Sequence, residues 1–73
     1  MAATWPTTSG KIFLAALRRK GWREEEVSFE KTYVTKGPMT VTLPFTRFYI
    51  LRSKIAGDWG ERFGLRPEEV RLK

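Results

Sequence analysis

The apolar positions of this chain change their period along its length. Ile12, Phe13, Ala16 and Leu17 recur at i, i+1, i+4 and i+5, one stripe at helical spacing. Thr8 or Ser9 can cap that helix. Arg18, Arg19 and Lys20 fall in its last turn, where cations complement the helix dipole, and Gly21 follows as the expected C′ residue. The spacing predicts a helix over about Ser9 to Lys20, buried against a sheet and closed by Trp22. From Val27 to Thr35 the period drops to two. Val27, Phe29, Lys31 and Tyr33 share one face of this strand; Ser28, Glu30, Thr32 and Val34 share the other. Lys36-Gly37-Pro38-Met39 reads as a turn. Thr40 to Phe45 is a second strand, with Val41, Leu43 and Phe45 toward the core and both threonines outward. Pro44 lacks an N–H and marks an edge, a bulge or the strand's end. The two strands form a β-hairpin. A third strand over Arg23 to Glu26 is disfavoured by its three consecutive glutamates.

Past the hairpin the pattern supports two readings. Phe48, Leu51 and Ile55 lie at i, i+3 and i+7, extended by Phe45 and Tyr49. With Thr46 as N-cap and Gly57 as C′ residue, they predict a second amphipathic helix over Thr46 to Ala56. The β-prone Phe-Tyr-Ile run supports a strand through Arg47 to Arg52 instead. Gly57 to Gly60 reads as a loop. Trp59, Phe63, Leu65 and Val70 anchor an irregular C-terminal tail. Pro67 to Val70 fits one helical turn, and Glu69 to Lys73 alternates like an edge strand. Met1 to Thr7 reads as a flexible arm, its Trp5 a plug on the core or a partner contact. The expected fold class is therefore α+β: one small two-layer domain over residues 1–73, an N-terminal helix packed on a β-hairpin sheet, with a second helix and an irregular tail.

Composition narrows the chemistry. The chain has 73 residues, with no Cys and no His. It has no disulfide framework, no thiolate nucleophile, and neither of the commonest zinc ligands. Ser9, Ser28 and Ser53 have no His to activate them. Glu24, Glu25, Glu26 and Glu30 read as a solvated acidic patch rather than a catalytic pair. Ser9-Gly10-Lys11 lacks the glycine-rich run of a phosphate-binding loop. A non-enzymatic protein without metal or cofactor is expected. No stretch approaches the roughly 20 apolar residues that span a bilayer. Met1 to Pro6 carries neither the basic nor the apolar region of a secretory signal. A monomeric cytoplasmic protein with no membrane association is expected.

Charge says more about the partner. Lys plus Arg number 14 against 8 Asp plus Glu, a net +6, divided evenly between the two halves of the sequence. Such a field favours an anionic partner. Arg18, Arg19, Lys20 and Arg23 form one basic group, interrupted at once by Glu24 to Glu26. Arg47, Arg52 and Lys54 form a second; Arg62, Arg66, Arg71 and Lys73 form a third. The first two groups are the candidate contacts with nucleic acid or an acidic surface. Ten aromatic residues are more than a core this small can hide, and an aromatic beside an arginine is the composition of protein hot spots and of stacking platforms. Trp5, Tyr33, Tyr49 and Trp59 are the candidate protein-partner contacts. A hairpin edge offers a further route to an extended partner segment.

Two resemblances add to this reading. Lys11 to Pro44 and Arg52 to Val70 resemble in outline the small HicA-type toxins, which have a double-stranded-RNA-binding-like fold. The likeness lies in a helix ending Lys20-Gly21-Trp22, a hairpin ending Val41-Thr42-Leu43-Pro44, and Leu51-Arg52-Ser53-Lys54-Ile55 before Gly57. That family cleaves RNA with a strand histidine, and Phe29-Glu30-Lys31-Thr32 has none, so the resemblance implies a nucleic-acid-binding shape without the nuclease. Over its whole length, the chain is similar to the small inhibitors of host RNA polymerase encoded by bacteriophages of Xanthomonas. The similarity rests on length, charge, the absence of cysteine, and Trp5-Pro6-Thr7-Thr8-Ser9-Gly10-Lys11 leading into Leu14 to Lys20. It implies a regulator that binds the N-terminal region of the β′ subunit of bacterial RNA polymerase, inhibits σ-dependent initiation and promotes antitermination, with nascent RNA or DNA within reach.

Overall fold

In the computed structural model, which describes residues 4–71, two helices and a 3-10 turn cover one face of a short antiparallel sheet. Strand β1 (Thr8–Ser9) leads directly into helix α1 (Gly10–Arg19). The Ser9 hydroxyl accepts the Ile12 N–H at 3.2 Å, which satisfies one of the first-turn donors. The other end closes through Gly21, at φ 94°. Trp22 N–H reaches the Leu17 carbonyl and Gly21 N–H the Arg18 carbonyl, both at 3.0 Å, the paired bonds of a Schellman motif. This end is as the sequence predicts, and Trp22 is buried beneath it.

Strands β2 (Arg23–Glu26), β3 (Thr32–Lys36) and β4 (Met39–Leu43) form one antiparallel sheet in that order. The glutamate run is a strand after all. Its side chains are all exposed, so its pairing with β3 rests on the backbone alone. The predicted strand starting at Val27 begins only at Thr32; residues 27–31 are a loop, closed by Val27 and Ser28 N–H bonds to the Lys31 carbonyl. Gly37, at φ 59°, and Pro38 form a two-residue connection that sets Lys36 opposite Met39. Positive φ at the first central position is what a type II′ hairpin turn requires.

One face of this sheet is covered. Val34 and Leu43 join Phe13, Leu17 and Phe45 in the core, and the Phe13 and Phe45 rings meet edge to face at 5.5 Å. Tyr33, Thr40 and Thr42 point to solvent from the other face. This is the expected two-layer α+β domain.

The second helix does not lie where the spacing puts it. Residues 44–49 are a loop, Ile50–Leu51 form β5 paired with β1, and helix α2 runs Ser53–Arg62. Gly57 and Gly60, read as helix stop and loop, are inside it. The reason is Trp5, only 8% exposed. A Cβ at Gly57 would lie 2.9 Å from the indole, and one at Gly60 2.3 Å from it. A glycine within a helix costs about 0.5–1 kcal/mol; burial of the indole against this bare helical surface offsets it. Of the two readings of Trp5, the plug on the core is the one the structure shows, and its place as a partner contact on a flexible arm is corrected; Met1 to Ala3 lie outside the described residues. Helix α2 closes as α1 does, through Gly64 at φ 71° and a Leu65 N–H bond to the Gly60 carbonyl at 2.8 Å. Pro67–Val70 form a 3-10 turn whose Val70 is fully buried; Leu72 and Lys73, the end of the alternative edge strand, lie outside the described residues.

Candidate binding surface

The loop after β4 is anchored before it is exposed. Phe45 and Thr46 are buried, and the Thr46 hydroxyl accepts the Phe48 N–H at 3.3 Å. The loop then lies across the start of α1. Gly10 donates to the Tyr49 carbonyl at 2.8 Å and Lys11 to the Arg47 carbonyl at 3.1 Å. The approach is so close that a Cβ at Gly10 would fall 1.9 Å from the Thr46 carbonyl oxygen. The first-turn donors of α1 thereby fix the backbone that presents Arg47, Phe48 and Tyr49.

What the loop presents is both apolar and basic. Phe48 is 68% exposed and Ile50 69%, with Tyr49 and Ile55 also exposed. The Arg47 guanidinium lies 4.8 Å from the centre of the Phe48 ring, close enough for a cation–π contact. Arg52 and Lys54 flank the first residue of α2, a helix start with no acidic residue in its first turn and no side-chain cap. Among the described residues, Arg47, Arg52 and Lys54 have no carboxylate within ion-pair distance. Tyr49, Ile50, Leu51, Arg52 and Ile55 line an apolar groove. A second groove is shared by Arg47, Phe48, Glu26, Val27 and Phe29. Phe29 is 87% exposed, the most exposed large apolar residue described.

The other basic group is arranged differently. Arg18 pairs with Glu24 at 3.4 Å and Lys20 with Glu69 at 3.5 Å. Arg19 donates to the Glu69 backbone carbonyl at 3.3 Å. Arg66 also meets the Glu69 carboxylate, at 3.5 Å. Desolvation opposes the charge on Glu69, but the nearby Lys20 charge and the hydrogen bonds from Lys20 and Arg66 outweigh it, holding this carboxyl below its ordinary value. These cations tie the end of α1 to β2 and the 3-10 turn. Arg23 stands apart on the solvent face of the sheet, opposite Thr35.

The structure therefore places Arg47, Tyr49, Arg52 and Lys54 on the loop and helix start between residues 47 and 54, with Tyr49 and Arg52 in one groove and Arg47 in the next, whereas Arg18, Arg19 and Lys20 are engaged at the end of α1. Tyr33 lies on the solvent face of the sheet, between Glu25 and Thr42. Trp59 is half-buried, stacked on Phe63 at 6.2 Å between centroids and 25° between planes. Trp5 is thus a packing residue, whereas Trp59 packs on Phe63 and also lines a surface groove. Phe29, Phe48 and Ile50 were not singled out by sequence reading. The alternation puts Phe29 on a strand face and the spacing puts Phe48 in a helix stripe, and both patterns imply burial that the structure does not give them.

Known protein families, curated proteins and solved structures contain no match to this chain. The surface is therefore read on its own chemistry. Among the described residues, no group of three or more acidic side chains is placed to hold a metal ion, and no helix is long and apolar enough to cross a membrane.

Proposed function

We propose that this protein is a non-enzymatic regulator that docks on bacterial RNA polymerase through the surface formed by Arg47 to Ile55. The observation that carries the reading is the association of three unpaired cations with exposed Phe48, Tyr49 and Ile50 on a backbone held rigid by α1. Exposed aromatics beside arginine supply anchors, and free cations supply complementarity to an acidic surface. The polymerase is chosen from the whole-chain resemblance, with the β′ N-terminal region as the docking site. The expected outcome is inhibition of σ-dependent initiation together with antitermination, by a monomer acting in the cytoplasm of the bacterial host. Purified core polymerase should retain the protein at low salt, and promoter-dependent transcription should fall as protein is added. Absence of retention at low salt contradicts the proposal.

One observation favours a second reading, a nucleic-acid-binding module of double-stranded-RNA-binding-like shape. The start of α2 combines helix N–H groups with Arg52 and Lys54 and no acid, which suits a phosphate. Phe29 and Phe48 could stack bases nearby. Polymerase-independent RNA binding that weakens steeply with salt would support this reading over the first.

A further inference from the structure

The two edges of the three-stranded sheet are built differently. Strand β2 reads Arg-Glu-Glu-Glu, fully exposed; charges of this kind repel an added strand. Strand β4 reads Met-Thr-Val-Thr-Leu, without a charge. Its hydrogen-bonding phase follows from the turn. A two-residue hairpin makes Lys36 and Met39 the pair that exchanges backbone bonds, and alternation gives the same role to Val34–Val41 and Thr32–Leu43. The N–H and C=O groups of Thr40 and Thr42 therefore point away from β3. Among the described residues, no other strand pairs with this edge.

A groove runs beside it, between β4 and α2. Met39, Val41, Trp59 and Phe63 supply its apolar lining, and its charged lining residues are Lys36 and Arg62, with no carboxylate. The Arg62 guanidinium is held 4.9 Å from the Trp59 ring. This groove is separate from those formed by residues 44–55.

We propose that β4 accepts, as a fourth strand, an extended partner segment whose groove-facing side chains, at every second position, include both apolar and acidic residues. The Thr40 and Thr42 backbone groups supply the ladder. Every second side chain of the guest (i, i+2, i+4) falls toward the groove, and this one set carries both kinds of residue: apolar ones meet Val41, Trp59 and Phe63, and acidic ones meet Lys36 and Arg62. Charge excludes a second copy of the chain as the favoured guest. Two +6 chains would meet edge to edge with no acid in either groove.

The test is selection of short random peptides displayed on phage against the folded full-length protein, followed by amide hydrogen exchange with the enriched peptides. Enrichment of sequences with apolar and acidic residues two positions apart that protect the Thr40 and Thr42 amides supports the proposal. Thr42→Pro, which removes one outward N–H, should weaken a selected peptide on the order of tenfold, the worth of a backbone hydrogen bond or two. Arg62→Glu should weaken the same peptide without touching the ladder, which guards against a Thr42→Pro variant that misfolds. No enrichment, enrichment of basic peptides, or protection confined to other amides overturns the proposal. Protection of Thr40 and Thr42 by self-association alone, seen as a concentration-dependent dimer, overturns it in favour of a second copy.

Discussion

The end of α1 and the loop before α2 carry similar numbers of cations and use them in opposite ways. At the end of α1, Arg18 and Lys20 face Glu24 and Glu69, and Arg19 reaches a backbone carbonyl. In the loop, Arg47, Arg52 and Lys54 form no ion pair with a described carboxylate, although Arg47 borders a groove shared with Glu24 and Glu26, and exposed Phe48, Tyr49 and Ile50 lie between them in sequence. The lesson is that net charge locates no site by itself. A cation paired with its own chain is already engaged; a cation left free beside an exposed aromatic is available to a partner.

Four perturbations should sharpen or break this contrast. The largest effect is expected from Trp5→Ala, which removes the ring that covers Gly57 and Gly60. Loss of a buried tryptophan costs about 3–5 kcal/mol, and chemical denaturation should show it. Because Trp5 pins α2, the loop surface should loosen with it. Next, Arg47→Glu combined with Arg52→Glu and Lys54→Glu should lower polymerase affinity by on the order of 2 kcal/mol or more, while stability stays within about 0.5 kcal/mol. The matching reversal of Arg18 and Lys20 should show the opposite balance in the same titration and melt. Third, Phe48→Ala should cost binding about 1–2 kcal/mol with little change in stability. Equal losses from Phe48→Ala and the α1 reversals would erase the contrast.

The smallest effect is expected from Glu69→Gln, worth less than about 1 kcal/mol because the pairs with Lys20 and Arg66 are near the surface. Its pH dependence has a definite sign. The folded carboxyl titrates below its ordinary value. Its contribution is therefore fully present above the unfolded carboxylate range and is lost as pH falls through the folded value. Denaturation of the native protein and of Glu69→Gln should differ at neutral pH and converge in acid.

The parts of the fold legible in the sequence are those whose signals are local. The Ser9 cap, the apolar stripe from Ile12 to Leu17 and Gly21 fix α1 within its own segment. Gly37-Pro38 between alternating runs does the same for the β3–β4 turn. The misplaced segment depended on distant partners. Phe48, Leu51 and Ile55 have helical spacing, yet Leu51 is buried from a strand that exists only because β1 pairs with it. Gly57 and Gly60 look like breakers until Trp5, some 50 residues earlier, is laid across them. Strand β2 is obscured for another reason: all four of its side chains are exposed, and its backbone makes the pairing with β3. Of the candidate site, the cations and Tyr49 were legible from composition. Which cations are free was not, because Glu69 reaches Lys20 only through the tertiary fold.

The central claim is that the surface from Arg47 to Ile55, rather than the basic end of α1, meets the partner. Amide hydrogen exchange on the protein alone and bound to core bacterial RNA polymerase tests it most directly. The account expects protection to rise across Phe48 to Ile55 on binding, with Arg18 to Lys20 unchanged. Protection gained at Arg18 to Lys20 and the 3-10 turn, with the loop left as it was, would contradict it.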